Sequence, residues 1–160
     1  MPNKRGFTLI EILVVIVITG IILSVTLLAF GDFGAGRKAV VSAEHFASYV
    51  KLVQHRAILE VNTLGININR NGYETFRFEQ GLRWQPMPKN SRFHWQPFPK
   101  HVVVSLKAAI RNRDNRPDIV INPSGDMSPF ELTFGTPEKP RLAVLIGGHN
   151  GDIELTNSDT

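Results

Sequence analysis

The sequence predicts an α+β fold: one long N-terminal helix that crosses a membrane and continues as a spine, followed by an antiparallel β-sandwich domain. Three observations predict it. Ile12 to Gly31 is a run of twenty residues without a charge, and at ~1.5 Å per residue a helix of that length spans ~30 Å, the hydrocarbon thickness of a bilayer. Ala39, Ala43, Phe46, Val50, Val53 and Ala57 then recur at spacings of three and four, one apolar stripe on a second helical stretch. From Asn62 the period changes to two, as Leu64, Ile66 and Ile68 alternate with Gly65, Asn67 and Asn69.

Along the chain, residues 1–6 form a basic leader and residues 7–30 a transmembrane helix. Residues 31–61 form the second half of that helix, and residues 62–160 the β-domain. Gly31, Gly34 and Gly36 weaken the helix by about 1 kcal/mol each relative to alanine, so softening or a kink is expected there. Lys51, Arg56 and Glu60 lie off the apolar stripe. Asn71-Gly72 is a tight-hairpin signal, with a return strand near Tyr73 to Phe78 and another strand around Leu82 to Trp84. Pro86, Pro88, Pro97 and Pro99 make Gln85 to Lys100 a long loop or edge. Val102–Leu106, Asp118–Ile121, Phe130–Phe134, Leu142–Ile146 and Ile153–Leu155 complete a set of about eight short strands.

Composition bounds the chemistry. With 160 residues and one membrane helix, a single soluble domain with one modest core remains. There is no cysteine, so disulfides and thiolate metal sites are excluded. Lys4 and Arg5 before the span predict a cytoplasmic leader with the bulk of the chain on the far side. The formal net charge of +4 would fall by two without them.

Glu11 does not fit a plain anchor, because a carboxylate costs about 2.5–3.5 kcal/mol at the centre of an inserted helix. An ordinary secretory signal places its small cleavage residues after the apolar core, whereas here Gly6 precedes it. Cutting after Gly6 would leave the whole apolar helix on the mature chain, starting at Phe7. The run Gly6-Phe7-Thr8-Leu9-Ile10-Glu11 behind Lys4-Arg5 resembles the class III signal of type IV pilins and type II secretion pseudopilins. The resemblance implies cleavage after Gly6 by a prepilin peptidase, N-methylation of Phe7, and pairing of Glu11 with a Phe7 amine during assembly. A lone carboxylate and a lone ammonium are both costly in an apolar bundle, and pairing removes both penalties.

The β-domain distinguishes the branches of that superfamily. Pro117 to Phe130, an apolar strand ending in Pro123-Ser124-Gly125-Asp126 and restarting after Pro129, resembles the same segment of the minor pseudopilin H family of type II secretion. The helix end from His45 to Leu59 and the Tyr73 to Trp84 hairpin are similar to it too. The alternative is a FimT/FimU-like minor type IV pilin acting in pilus assembly or DNA uptake. The H-family resemblance implies a structural subunit at or near a pseudopilus tip, supporting export of folded proteins across the outer membrane. It implies the major pseudopilin, other minor pseudopilins and the prepilin peptidase as partners. The implied location is a single pass through the inner membrane of a Gram-negative bacterium, with the C-terminal domain in the periplasm and then in the pseudopilus.

Rival functions leave weaker marks. His45, His55, His94, His101 and His149 are scattered, with no metal-ligand spacing, and Ser124 sits in a turn without an adjacent base, so neither an enzyme nor a cofactor is expected. Asp118, Asp126 and Asp152 form no calcium-loop spacing. Between Arg83 and Arg116 there are eight basic residues and one acid, interleaved with Trp84, Phe93, Trp95 and Phe98. Arg83, Arg92, Arg111, Arg113 and Arg116 are therefore a candidate basic interaction face, for duplex DNA or for an acidic neighbour. From Pro117 onward the balance reverses, with seven acids and two bases, which suits head-to-tail docking.

Overall fold

The computed structural model describes residues 8–79, 83–108 and 116–158, with the side chains of residues 27–33 and 108 left aside. The chain divides into two compact units, Met1–Gly34 and Ala35–Thr160. One α-helix, α1 (Leu9–Glu60), contributes to both. The helical assignment continues through Gly31 to Gly36.

In the first unit, Leu9–Thr26 is long and apolar enough to cross a membrane, and none of it is buried within the protein. Its hydroxyls are satisfied internally: Thr19, Ser24 and Thr26 each donate to the carbonyl four residues earlier (Val15, Gly20 and Ile22), at 2.7 Å. In an apolar solvent, where no water takes up stray donors, that arrangement leaves no hydroxyl unpaired.

In the second unit, the stripe Ala39, Ala43, Phe46, Val50, Val53 and Ala57 is fully buried. The helix closes at Val61, whose φ of 48° is left-handed. Val61 N–H donates to the Ile58 carbonyl and Asn62 N–H to the Ala57 carbonyl, the paired bonds of a Schellman stop. The stop stands on a β-branched residue where glycine is usual.

Among the described residues nine strands follow: β1 (Leu64–Asn69), β2 (Gly72–Glu79), β3 (Arg83–Pro86), β4 (Gln96–Pro97), β5 (Val103–Ala108), β6 (Ile119–Ile121), β7 (Phe130–Gly135), β8 (Ala143–Gly147) and β9 (Ile153–Asn157). They make two antiparallel sheets. One has the order β3-β2-β1-β6 with β4 added to β2, and the other the order β5-β7-β8-β9. Asn69 and Gly72 are register partners across the Asn71-Gly72 hairpin, and the Asn69 side chain accepts from the amides of Asn71 and Gly72. The Gln85–Lys100 loop carries the short strand β4, held to β2 by Gly72↔Pro97 and Tyr73↔Gln96. Gly72 is required there, because a Cβ would sit 2.3 Å from the Gln96 carbonyl. Strand candidate Leu82 lies outside the described residues.

The inner faces of both sheets close on the helix. Leu64, Ile66, Ile119 and Ile121 come from one sheet, and Phe130, Leu132, Phe134 and Leu145 from the other. Phe46 is the hub of this core, its ring centroid 4.8 Å from Tyr73, 6.0 Å from Phe134 and 6.5 Å from Phe98. Beside it the Tyr49 hydroxyl bonds the Thr75 hydroxyl at 2.6 Å, and burial pushes the Tyr49 phenol up to about 12.

Candidate processing and assembly site

The N-terminal site is built on the start of α1. Gly6 and Phe7 lie outside the described residues. Thr8 is the helix N-cap: its carbonyl accepts from Glu11 N–H at 3.1 Å and Ile12 N–H at 3.3 Å, and its hydroxyl lies 3.4 Å from Glu11 N. Thr8-Leu9-Ile10-Glu11 thus has the spacing of a capping box, a Thr followed three residues later by Glu. The signal was present in the sequence but hidden inside a longer motif. Glu11 lies in the first turn, where the amide dipoles favour negative charge, and its neighbours Leu9, Ile10 and Ile12 are exposed.

Of the candidate basic face, Arg83, Arg92 and Arg116 are exposed, and Arg111 and Arg113 lie outside the described residues. Arg83 and Arg116 each precede a residue that packs over the first sheet. Trp84 and Pro117, their chain neighbours, both close over Gly65, where a Cβ would meet Pro117 Cγ at 2.4 Å and Trp84 Cζ3 at 2.9 Å. Arg92 belongs to the turn before β4, its carbonyl accepting from the Gln96 side chain.

The interleaved aromatics are largely committed to packing. Trp84 packs on Phe78 at 5.0 Å, and Phe98 packs on Phe46 and Phe134. Phe93 is buried beneath the Arg56 guanidinium, which lies 4.6 Å from its ring. Trp95 alone of the four is exposed, at 36 %. Stacking platforms for bases need open ring faces, so the structure offers this region to a partner mainly as charge.

Sequence reasoning missed the polar ties that hold the turns to the helix. Gln54 Nε2 donates to the Gly125 carbonyl at 2.8 Å and the Gly151 carbonyl at 3.1 Å. The two glycines have φ of 92° and 87°. Ser124 is a turn residue, its hydroxyl donating to Asp126. Glu60 bridges Arg56 and Arg77 at 2.7 Å each. Asp118 accepts from Ile68 N–H at 2.8 Å beyond the last β1–β6 pair; burial raises its pKa above the ordinary carboxylate value, and the amide bond opposes that shift. Among the described residues no group of three or more His, Asp or Glu side chains is placed to hold a metal.

Residues 1–27 match the family model of the prokaryotic N-terminal methylation motif. The chain is 28 % identical to the type II secretion system protein H of Pseudomonas aeruginosa, over 92 % of this chain and 94 % of that one. It is 27 % identical to the Escherichia coli protein of the same name, over 92 % of both. Over nearly its whole length, then, the chain is similar to proteins named type II secretion system protein H. Its fold is shared with the minor pseudopilin EpsH of Vibrio cholerae (TM-score 0.64, 17 % identity), which covers 77 % of this chain and 99 % of its own. The solution structure of Escherichia coli GspH gives a TM-score of 0.65 at 19 % identity, over 78 % of this chain and 91 % of its own. These solved structures match the fold of this chain over 77 % and 78 % of its length.

Proposed function

We propose that this chain is a minor pseudopilin, a structural subunit at or near the pseudopilus tip that supports export of folded proteins across the outer membrane. The observation that carries the reading is its likeness to protein H over 92 % of the chain, joined to the methylation motif at residues 1–27. A prepilin peptidase cuts after Gly6 and methylates the new amine of Phe7. Residues 7–30 hold the chain in the inner membrane and later pack in the filament core. Residues 31–61 continue the helix beneath residues 62–160, the periplasmic β-domain that meets the major pseudopilin and other minor pseudopilins.

Glu11 serves two states of the same helix. In the membrane its position in the first turn keeps it near the interface, where a carboxylate costs less than at the centre. In the filament it neutralises the Phe7 amine of an adjoining subunit. Glu11→Leu therefore inserts as well as the natural chain yet assembles poorly, which co-purification with the sheared pseudopilus measures; full incorporation of that variant would refute the pairing. Processing is tested by intact mass. A chain beginning at N-methyl-Phe7 is expected, and Gly6→Trp should retain the leader. Normal processing of Gly6→Trp would rule out cleavage at this position.

A further inference from the structure

The two sheets end differently. Proline stands at the edges of the first: Pro86 closes β3, Pro97 lies in β4, and the three-residue β6 is flanked by Pro117 and Pro123. Proline, short strands and inward charges are the usual means of keeping an edge from pairing with another chain. The second sheet has none of these on its edge strands, since β9 runs five residues and β5 six without a proline. Among the described residues, β8 is the sole strand partner of β9, and β7 that of β5.

The free edge of β9 follows from its ladder. Gly148 N–H donates to the Asp152 carbonyl and Ser158 N–H to the Leu142 carbonyl, both at 2.8 Å. Antiparallel pairs alternate between bonded and unbonded, so residues 154 and 156 also bond β8. The backbone groups of Ile153, Leu155 and Asn157 then point outward.

We propose that this sheet extends by β-augmentation, the open edge of β9 accepting β5 of a second copy of the chain. Three features choose that occupant. Three successive antiparallel pairings make β5 run opposite to β9, so a second copy in the same orientation continues the antiparallel pattern. The cross-strand rows are complementary at their ends. One row reads Leu106, Leu132, Leu145, Leu155, and continuing it sets Leu106 of the second copy beside Leu155; both are only partly buried in the single chain. The next row reads Lys107, Glu131, Ile146, Glu154, and continuing it sets Lys107 beside Glu154, an opposite-charge pair on the outer face. The interface is heterologous and leaves one β5 and one β9 open at its ends.

The test uses the full chain in detergent micelles, as an equal mixture of 14N and 15N copies. Carbodiimide treatment and mass spectrometry are expected to find Lys107 of one copy joined to Glu154 of another. Asn157→Pro removes an outward amide from an exposed position, so the helix and sheet signals in circular dichroism should persist while the self-association constant from sedimentation falls at least about tenfold. Glu154→Lys should weaken association likewise, and mixing it with Lys107→Glu copies should restore it. Cross-links confined to single copies, or association unchanged by Asn157→Pro and Glu154→Lys because the apolar helix drives it, would overturn the proposal.

Discussion

Removing the ring of Phe46 tests whether the second half of the helix is part of the β-domain core or merely adjoins it. The residue is fully buried and touches both sheets, through Tyr73 at 4.8 Å and Phe134 at 6.0 Å, with Tyr49 and Phe98 at 6.4 and 6.5 Å. Truncating a buried phenylalanine to alanine costs about 3–5 kcal/mol, and well-placed aromatic pairs add roughly 0.5–1.5 kcal/mol each beyond their area. Phe46→Ala should therefore fall at the upper end, a loss of about 4–5 kcal/mol. With an m-value of about 2 kcal/mol/M for a domain of this size, the urea midpoint drops by about 2 M. The assay is urea unfolding of the Ala35–Thr160 unit, followed by circular dichroism, with Leu59→Ala as the control because Leu59 is 83 % exposed. A midpoint shift below about 0.5 M for Phe46→Ala, or equal shifts for the two variants, would refute the reasoning.

Three further outcomes are expected. Gln54→Ala leaves the Gly125 and Gly151 carbonyls without their shared donor, and should cost about 1–3 kcal/mol in the same unfolding assay; Gln54→Glu, which repels both carbonyls, should do no better. Val61→Gly relieves a β-branched residue at left-handed φ and should stabilise by about 1 kcal/mol, read as a higher urea midpoint. Asp118 has its folded-state pKa raised, so its favourable contribution is complete below the unfolded value and is lost as pH rises through the folded one. Asp118→Asn lacks that loss. The stability difference should move in favour of the variant as pH rises through and above the ordinary carboxylate range, and a parallel pH profile would contradict the assignment.

Much of the fold was legible because periodicity is a direct record of burial. All six residues of the predicted helical stripe are fully buried, and the strand candidates outside the proline-rich loop correspond to described strands, save Leu82, which lies outside the described residues. The β4 pairing was not legible, since Gln96-Pro97 offers no alternation and is fixed only by its fit against Gly72. Arg56 and Glu60 read only as positions off the apolar stripe, and Gln54 drew no reading; Arg56 and Glu60 pair locally, but the partners Gly125, Gly151 and Arg77 are distant in sequence, which no local pattern reports. The basic region illustrates the limit most clearly. Composition alone could not say that Phe93 lies beneath Arg56 and Phe98 against Phe46, and those contacts remove most of its stacking surface. The N-terminal run, by contrast, was legible as a motif, and residues 1–27 match the model of the methylation motif.

The central claim is that the chain works through contacts with pseudopilus subunits. The most direct measurement immobilises the Ala35–Thr160 unit and passes over it, at several salt concentrations, the soluble domains of the major and other minor pseudopilins and a duplex DNA. The account predicts saturable binding to at least one pseudopilin domain and no retention of DNA. DNA binding that falls steeply with salt and is lost on removing Arg83 and Arg116, with no pseudopilin bound, would contradict it.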